Sequence, residues 1–350
     1  MKSPAKDMKT MSGQMIMVGL RGTSPEDAKS FFDSHHELTV GGIILYDQNV
    51  TTDPPSSHNI KSPEQVIELN QSLQSNSSTP LLIGVDQEGG QVNRLKKEYG
   101  FPHSKSWADL GRLNDEAQTD SHSKGIASSL SSYGFNLNFA PVVDLSLNRE
   151  NVIVQKGRCF SDDPDTVATH AKLFINAHLN QNVIPVCKHF PGQGSARGDT
   201  HEGLVDVSET WSENELKPYQ KLIDRGCVPA IMTSHLFHKG LDPDFPATLS
   251  SKIINELLRE QLGFDGVIIS DDPQMGAIAK HYDLKTVIQL MIHAGVDMFC
   301  FGNNLIYDPD IVQKVHTIIG ELLDEGSITA EQIQRSYDRV MCLKIRIGLV

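Results

Sequence analysis

Long apolar runs are missing from this 350-residue chain. Stretches such as Met15 to Leu20 and Gly266 to Ile269 are among the longest. They fall far short of the roughly 20 residues that a bilayer-spanning helix requires. No apolar segment backs the N-terminal lysines, so no signal peptide is expected. Positive charge is scarce too: 31 Lys and Arg face 44 Asp and Glu, a net charge of −13. That balance argues against nucleic acid as a bulk electrostatic partner and against adsorption to anionic membranes. Cysteine is sparse and unpaired. The five, at positions 159, 187, 227, 300 and 342, form no CxxC, and Cys187, Cys227 and Cys300 lie in or beside apolar runs. Such a set reads as reduced core residues in a cytoplasmic protein rather than a disulfide framework. GxGxxG is absent after every candidate strand, which weighs against a dinucleotide fold.

What is present is alternation. Short apolar runs suited to strands span Gln14–Leu20, Gly42–Tyr46, Leu81–Asp86, Asn136–Asp144, Val183–His189, Val228–Ser234, Gly266–Asp271 and Asp297–Phe301. Amphipathic stretches between and after them read as helices: Ser62–Leu73, Pro164–Asn180, Glu213–Arg225, Ser250–Gln261, Leu284–Ala294, Asp310–Asp324 and Thr329–Ile345. Continuous apolar strands alternating with helices imply a parallel sheet covered on both faces. Eight such units favour one (β/α)8 TIM-type barrel domain over residues 1–350. The polar insert Asp47–Lys61 reads as a long loop.

Polar residues collect at the strand ends. The third strand ends in Asp86-Gln87-Glu88, the fourth in Asp144, the fifth in Lys188-His189, the sixth in His235 and the seventh in Asp271-Asp272. In a barrel these ends share the rim where sites are built. Helix capping accounts for single acids but not for the Lys and His among them. Strand alternation lets only one of Asp271 and Asp272 face the barrel axis, and turns the other outward toward the next helix.

After the fifth strand comes KHFPGQGSARGDTH (188–201). Asp199 and His201 are two apart, so in extended backbone they share a side and the carboxylate can orient the ring. Glycines 192, 194 and 198 would let this segment move as a lid. A metal site built from His189, His201, His235 and Asp271 is the competing chemical reading. It lacks HExxH or an early HxH, and Lys188 would repel the ion. No metal or cofactor is expected.

These segments, with GVDQEGGQVNRL (84–95), NFAPVVDL (138–145), GRCFSDDPDTVA (157–168), PATLS (246–250) and LGFDGVIISDDPQM (262–275), closely resemble glycoside hydrolase family 3 over roughly Ser12 to Val350. Within it, KHFPGxG followed by Asp-x-His resembles the single-domain bacterial β-N-acetylglucosaminidases of cell-wall recycling. The resemblance implies a retaining mechanism with Asp271 as nucleophile, His201 as acid/base and Asp199 as its partner. It also implies a grip on the sugar by Asp86, Arg94, Arg158, Lys188 and His189. An imidazole, with an ordinary pKa near ~6.5, can both give and take a proton near neutral pH. The substrate class implied is a small GlcNAc-containing fragment of peptidoglycan. Another β-glycosidase, a phosphorolytic member and a silent sugar-binding barrel are the alternatives, the last disfavoured because Asp271 and His201 are both present. Lys188 and His189 both facing the site breaks strand alternation, so a distorted backbone is expected there. Two departures stand out. Gln193 replaces the usual His, and Pro273 replaces a Leu, with Pro expected to begin the following helix.

Overall fold

The computed structural model describes residues 8–35 and 38–350. Eight strands form its centre: β1 (Ile16–Gly19), β2 (Gly42–Leu45), β3 (Leu82–Val85), β4 (Leu137–Asn138), β5 (Ile184–Phe190), β6 (Ala230–Thr233), β7 (Val267–Ile269) and β8 (Phe299–Phe301). From β1 to β7 each strand pairs in parallel with the next in sequence, and β1 also pairs with β8. A parallel bridge between Ile269 and Met298 joins β7 to β8 and closes the ring.

Side-chain alternation divides the core in two. Met17, Ile44, Leu82, Leu137, Ile184, Val186, Met232 and Ile269 point inward and pack as one cluster. Ile16, Val18, Ile43, Leu45, Ile83 and Val85 point outward to the helices and belong to the larger cluster. Each fully buried aliphatic side chain contributes roughly 1.5–3 kcal/mol by leaving water. At the bottom, Val340, Leu343 and Ile347 from the last helical segment join the inner cluster and stopper the barrel. This leaves the strand C-terminal ends as the open face.

The expected strands are all present, trimmed by a residue or more at most ends, and all seven expected helical stretches are helical. One of them, Lys252–Gln261, is wound as a wider π-helix. Helices Pro25–Ser34, Trp107–Leu113 and Glu116–Ser132 were not foreseen, nor were the short ones Met8–Gly13 and Val152–Gln155. The insert after β2 is mostly irregular but contains a small antiparallel pair, Gln48–Asn49 with Ser56–Ser57. No described helix is long and apolar enough to cross a membrane.

Candidate active site

A cavity of about 410 Å³ opens at the strand C-terminal ends, lined in part by Asp86, Arg94, Arg158, Lys188, His189, His201 and Asp271. Seven of the eight residues named from sequence thus share one space, and the eighth, Asp199, bonds to His201. A pocket below it in volume lies between β1 and the segment after β8, and contains none of these residues.

The inner wall is an ion cluster. Lys188 Nζ lies 2.9 Å from Asp86 Oδ1 and 2.7 Å from Glu88 Oε1. Arg158 donates to both oxygens of Glu88, each at 2.8 Å. Burial alone would raise both carboxyls. The Lys188 and Arg94 charges instead hold Asp86 at about 2, and those of Arg158 and Lys188 hold Glu88 at about 2. Lys188 is shifted upward by the same pairs, against its own desolvation. Arg94 reaches Asp86 at 3.7 Å and the buried Asp47 at 3.6 Å, while Lys96 Nζ sits 2.6 Å from Asp47. Fixed guanidinium and ammonium donors opposite carboxylate acceptors suit a ligand rich in hydroxyls.

At the end of β5 the backbone departs from regular pairing. Ile231 pairs with Cys187 but Thr233 pairs with Phe190, so β5 carries one extra residue there. Such a bulge re-aims side chains next to sites. The Lys188–His189 peptide is cis, and both side chains line the cavity. The expected distortion is therefore present. Asp144 secures it, accepting from His189 Nδ1 at 2.7 Å, from His189 N at 3.2 Å and from Gln193 N at 2.8 Å. With Arg158 Nη2 donating toward His189 Nε2 at 3.4 Å, the His189 proton belongs on Nδ1.

Asp271 follows β7, half-buried, with Oδ1 accepting from Asp272 N at 2.8 Å. Asp272 does not turn outward as alternation implied. It is 8% exposed, lines the same cavity, and accepts from Gln274 N at 2.9 Å. The strand has ended before this pair, so alternation no longer governs it. Burial, reinforced by the Asp271 charge, pushes the Asp272 carboxyl up to about 7. Pro273 begins a turn, not the helix: Met275 N donates to Asp272 O at 3.0 Å, and helix Gly276–Ala279 starts beyond it. Proline is favoured at that second turn position.

Across the cavity mouth, His201 Nδ1 lies 2.6 Å from Asp199 Oδ1, which also accepts the His201 N–H at 3.0 Å. These bonds, acting against desolvation, lower the Asp199 pKa. Nδ1–H toward the carboxylate leaves Nε2 as the nitrogen free to act. The lid is shorter than its glycines implied. Gly192 and Gly194 are buried, and a Cβ on Gly194 would fall 1.7 Å from Leu145 O. Asn151 Nδ2 holds Gln193 O and Ala196 O, and Glu215 accepts from Gly194 N at 2.8 Å and Ser195 Oγ at 2.5 Å. Exposure begins only at Arg197 and Gly198. Gln193 therefore belongs to a clamped root, where its N–H is held by Asp144.

The metal reading is not supported. Both nitrogens of His235 are engaged, Nδ1 with Thr248 Oγ1 at 2.8 Å and Nε2 with the Asp272 carbonyl at 2.9 Å. Among the described residues no group of three or more His, Cys, Asp or Glu is placed to hold a metal ion. Glu88, Asp144, Asp47 and Glu215 are supports that sequence reasoning did not assign. For Glu88, Asp144 and Asp47 the one signal was an acid at or near an expected strand end, which capping explains equally well; Glu215, on the helical turn Glu213–Leu216, carried no such signal.

The model for the glycosyl hydrolase family 3 N-terminal domain matches residues 8–343. A β-hexosaminidase of Alkalilimnicola ehrlichii is 34% identical over 334 residues, covering 93% of this chain and 88% of that protein. One from Nitrosomonas eutropha is 32% identical over 311 residues, covering 86% and 83%. A family 3 β-N-acetylglucosaminidase structure from a Paenibacillus species superposes with a TM-score of 0.88 at 31% identity; it covers 99% of this chain, which spans 63% of that one. A β-N-acetylhexosaminidase structure from Beutenbergia cavernae gives 0.84 at 27% identity, with 97% and 98% coverage. On its sequence, its closed barrel and the residues gathered at its mouth, this chain belongs to glycoside hydrolase family 3.

Proposed function

We propose that the protein is a retaining, exo-acting β-N-acetylglucosaminidase of the cytoplasm. It releases terminal GlcNAc from peptidoglycan fragments of the GlcNAc–anhydro-muramic acid type. The observation that carries this reading is the shared cavity of Asp271 and His201, with Asp199 2.6 Å from the His201 ring. The Asp271 carboxylate attacks the anomeric carbon as the glycosidic C–O bond breaks, and His201 Nε2–H protonates the leaving oxygen. A water then enters; His201 takes its proton, the hydroxide oxygen bonds to the anomeric carbon, and Asp271 leaves. Two inversions return the β configuration. Asp86, Lys188, Arg158, Arg94 and His189 hold the sugar hydroxyls.

The β-hexosaminidase relatives support a hexosamine as the sugar, and the Paenibacillus β-N-acetylglucosaminidase supports GlcNAc in particular. A short substrate is supported by the lack of tryptophan at the cavity. Trp107 is buried in the outer core, and Trp211 donates to Pro191 O at 3.2 Å while packing on His238. The scattered cysteines, none in CxxC spacing, support the reducing compartment.

Turnover of aryl β-GlcNAc, aryl β-glucoside and the GlcNAc–anhydro-muramic acid disaccharide tests the reading, with and without phosphate, for the wild type, Asp271→Ala and His201→Ala. GlcNAc substrates should dominate, and Asp271→Ala should lose at least about a thousandfold in rate. Near-normal turnover by Asp271→Ala sinks the mechanism. Preference for glucoside, or dependence on phosphate, moves the activity to another class.

A further inference from the structure

His201 and Asp199 share one loop, so their mutual bond fixes the ring to the loop but not the loop to Asp271. Between Ala196 at the clamped root and Val205, which pairs with Leu236, the loop needs another tie to the body. Among the described residues three hydrogen bonds supply it. Ala277 N donates to Thr200 O at 3.1 Å and Gly276 N to His201 O at 3.2 Å. Lys280 Nζ donates to Glu202 O at 2.7 Å. All three donors lie on the short segment that follows Asp271 and Asp272 in the chain. The loop bearing the imidazole is thus docked onto the segment bearing the carboxylate. Gly276 permits this approach: a Cβ there would fall 2.7 Å from His201 O and 3.0 Å from the Glu202 carbonyl.

We propose that Lys280 and Gly276 are positioning residues that set the distance of the His201 ring from the bond that Asp271 breaks. Neither touches the cavity, since neither lines it. Lys280 is exposed, so truncating it removes a bond to the loop without opening the core. The inference rests on the acid/base role proposed for His201.

The test is a series of aryl β-GlcNAc substrates of decreasing leaving-group acidity, from dinitrophenyl to phenyl, with kcat/KM measured for Lys280→Met, Lys280→Arg, Gly276→Ala and His201→Ala. Dinitrophenolate departs without protonation, whereas phenolate needs the acid. Lys280→Met and Gly276→Ala should lose roughly three- to tenfold on the phenyl substrate, the scale of one charge-assisted or crowded contact, and stay within about twofold on dinitrophenyl. Lys280→Arg, which keeps a donor, should restore phenyl turnover. General loosening of the barrel would depress every substrate alike, and that pattern overturns the proposal. So does wild-type behaviour of both variants, or an equal loss in Lys280→Arg. His201→Ala separates the two ideas: a flat response to leaving group defeats the acid/base reading itself. A steep response beside unaffected Lys280 and Gly276 variants defeats only the docking.

Discussion

Replacing Glu88 by Gln would remove one negative charge from a buried cluster while keeping the side-chain volume. Glu88 is 1% exposed, accepts both bonds of the Arg158 fork and lies 2.7 Å from Lys188. After the change Asp86 alone faces Lys188, and the Arg158 guanidinium meets an amide whose NH2 group repels it. Removing one partner of a buried pair costs about 3–5 kcal/mol, because the remaining charge stays desolvated. For 350 residues at about 2.1 cal/mol/K each, the unfolding entropy is about 0.7 kcal/mol/K. The melting temperature should therefore fall by about 4–7 °C. Turnover should suffer as well, since Lys188 and Arg158 lose their orientation toward the sugar in the proposed mechanism. A fall in kcat/KM of at least about tenfold is expected. Thermal unfolding followed by circular dichroism at one scan rate, beside aryl β-GlcNAc kinetics, provides both readouts. The folded carboxyl lies at about 2, below its ordinary range near 4, so its stabilisation is present above about 4 and disappears as pH falls through about 2. The gap between wild type and variant should narrow over that window. A melting temperature within about 1 °C of wild type, with undiminished turnover, would refute the reasoning.

Glu215 has the opposite sign. Burial, aided by the Asp144 charge, raises it to about 7, so its contribution to stability is complete below about 4 and is lost as pH rises through about 7. Glu215→Gln should flatten that decline by about 3 kcal/mol, measured as denaturant midpoints at pH 5 and pH 8; parallel slopes for the two proteins would count against it. Thiol accessibility is simpler: Cys342 is exposed and the other four cysteines are buried. One thiol should react rapidly with an aromatic disulfide reagent in the native protein and four only after unfolding. Two fast thiols would mean that the packing around the barrel is looser than described.

The barrel was legible because its strands are uniform apolar runs, a signal that survives without tertiary context. Glu116–Ser132 was not, for a physical reason: its buried face is Thr119, Ser123, Ile126, Ala127 and Leu130. Small and hydroxyl side chains fill the narrow gap against helix Pro164–Leu179 and erase the hydrophobic period. Pro25–Ser34 is short, and its stripe is only Ala28, Phe31 and Phe32, of which Ala28 alone is fully buried, so its period spans little more than one turn. In the site, the residues facing the cavity were named from motifs, but their supports were not. Asp144 and Glu88 look like any acid at a strand end until β5 is folded beside them. Asp272 was misplaced by extending strand geometry past Ile269, where the strand stops. The glycines of the lid were read as freedom, yet at Gly194 the missing side chain makes room for Leu145 O.

That close contact has a use for anyone remodelling the protein. The root of the lid is sealed by Asn151, Glu215 and the Leu145 carbonyl, and the far side is stitched to Leu236, so the natural cut points lie just after Ala196 and just before Val205. The segment between them carries Asp199 and His201 and also leans on Gly276, Ala277 and Lys280. An exchanged segment must therefore keep those two side chains and return the carbonyls of Thr200, His201 and Glu202 to their donors.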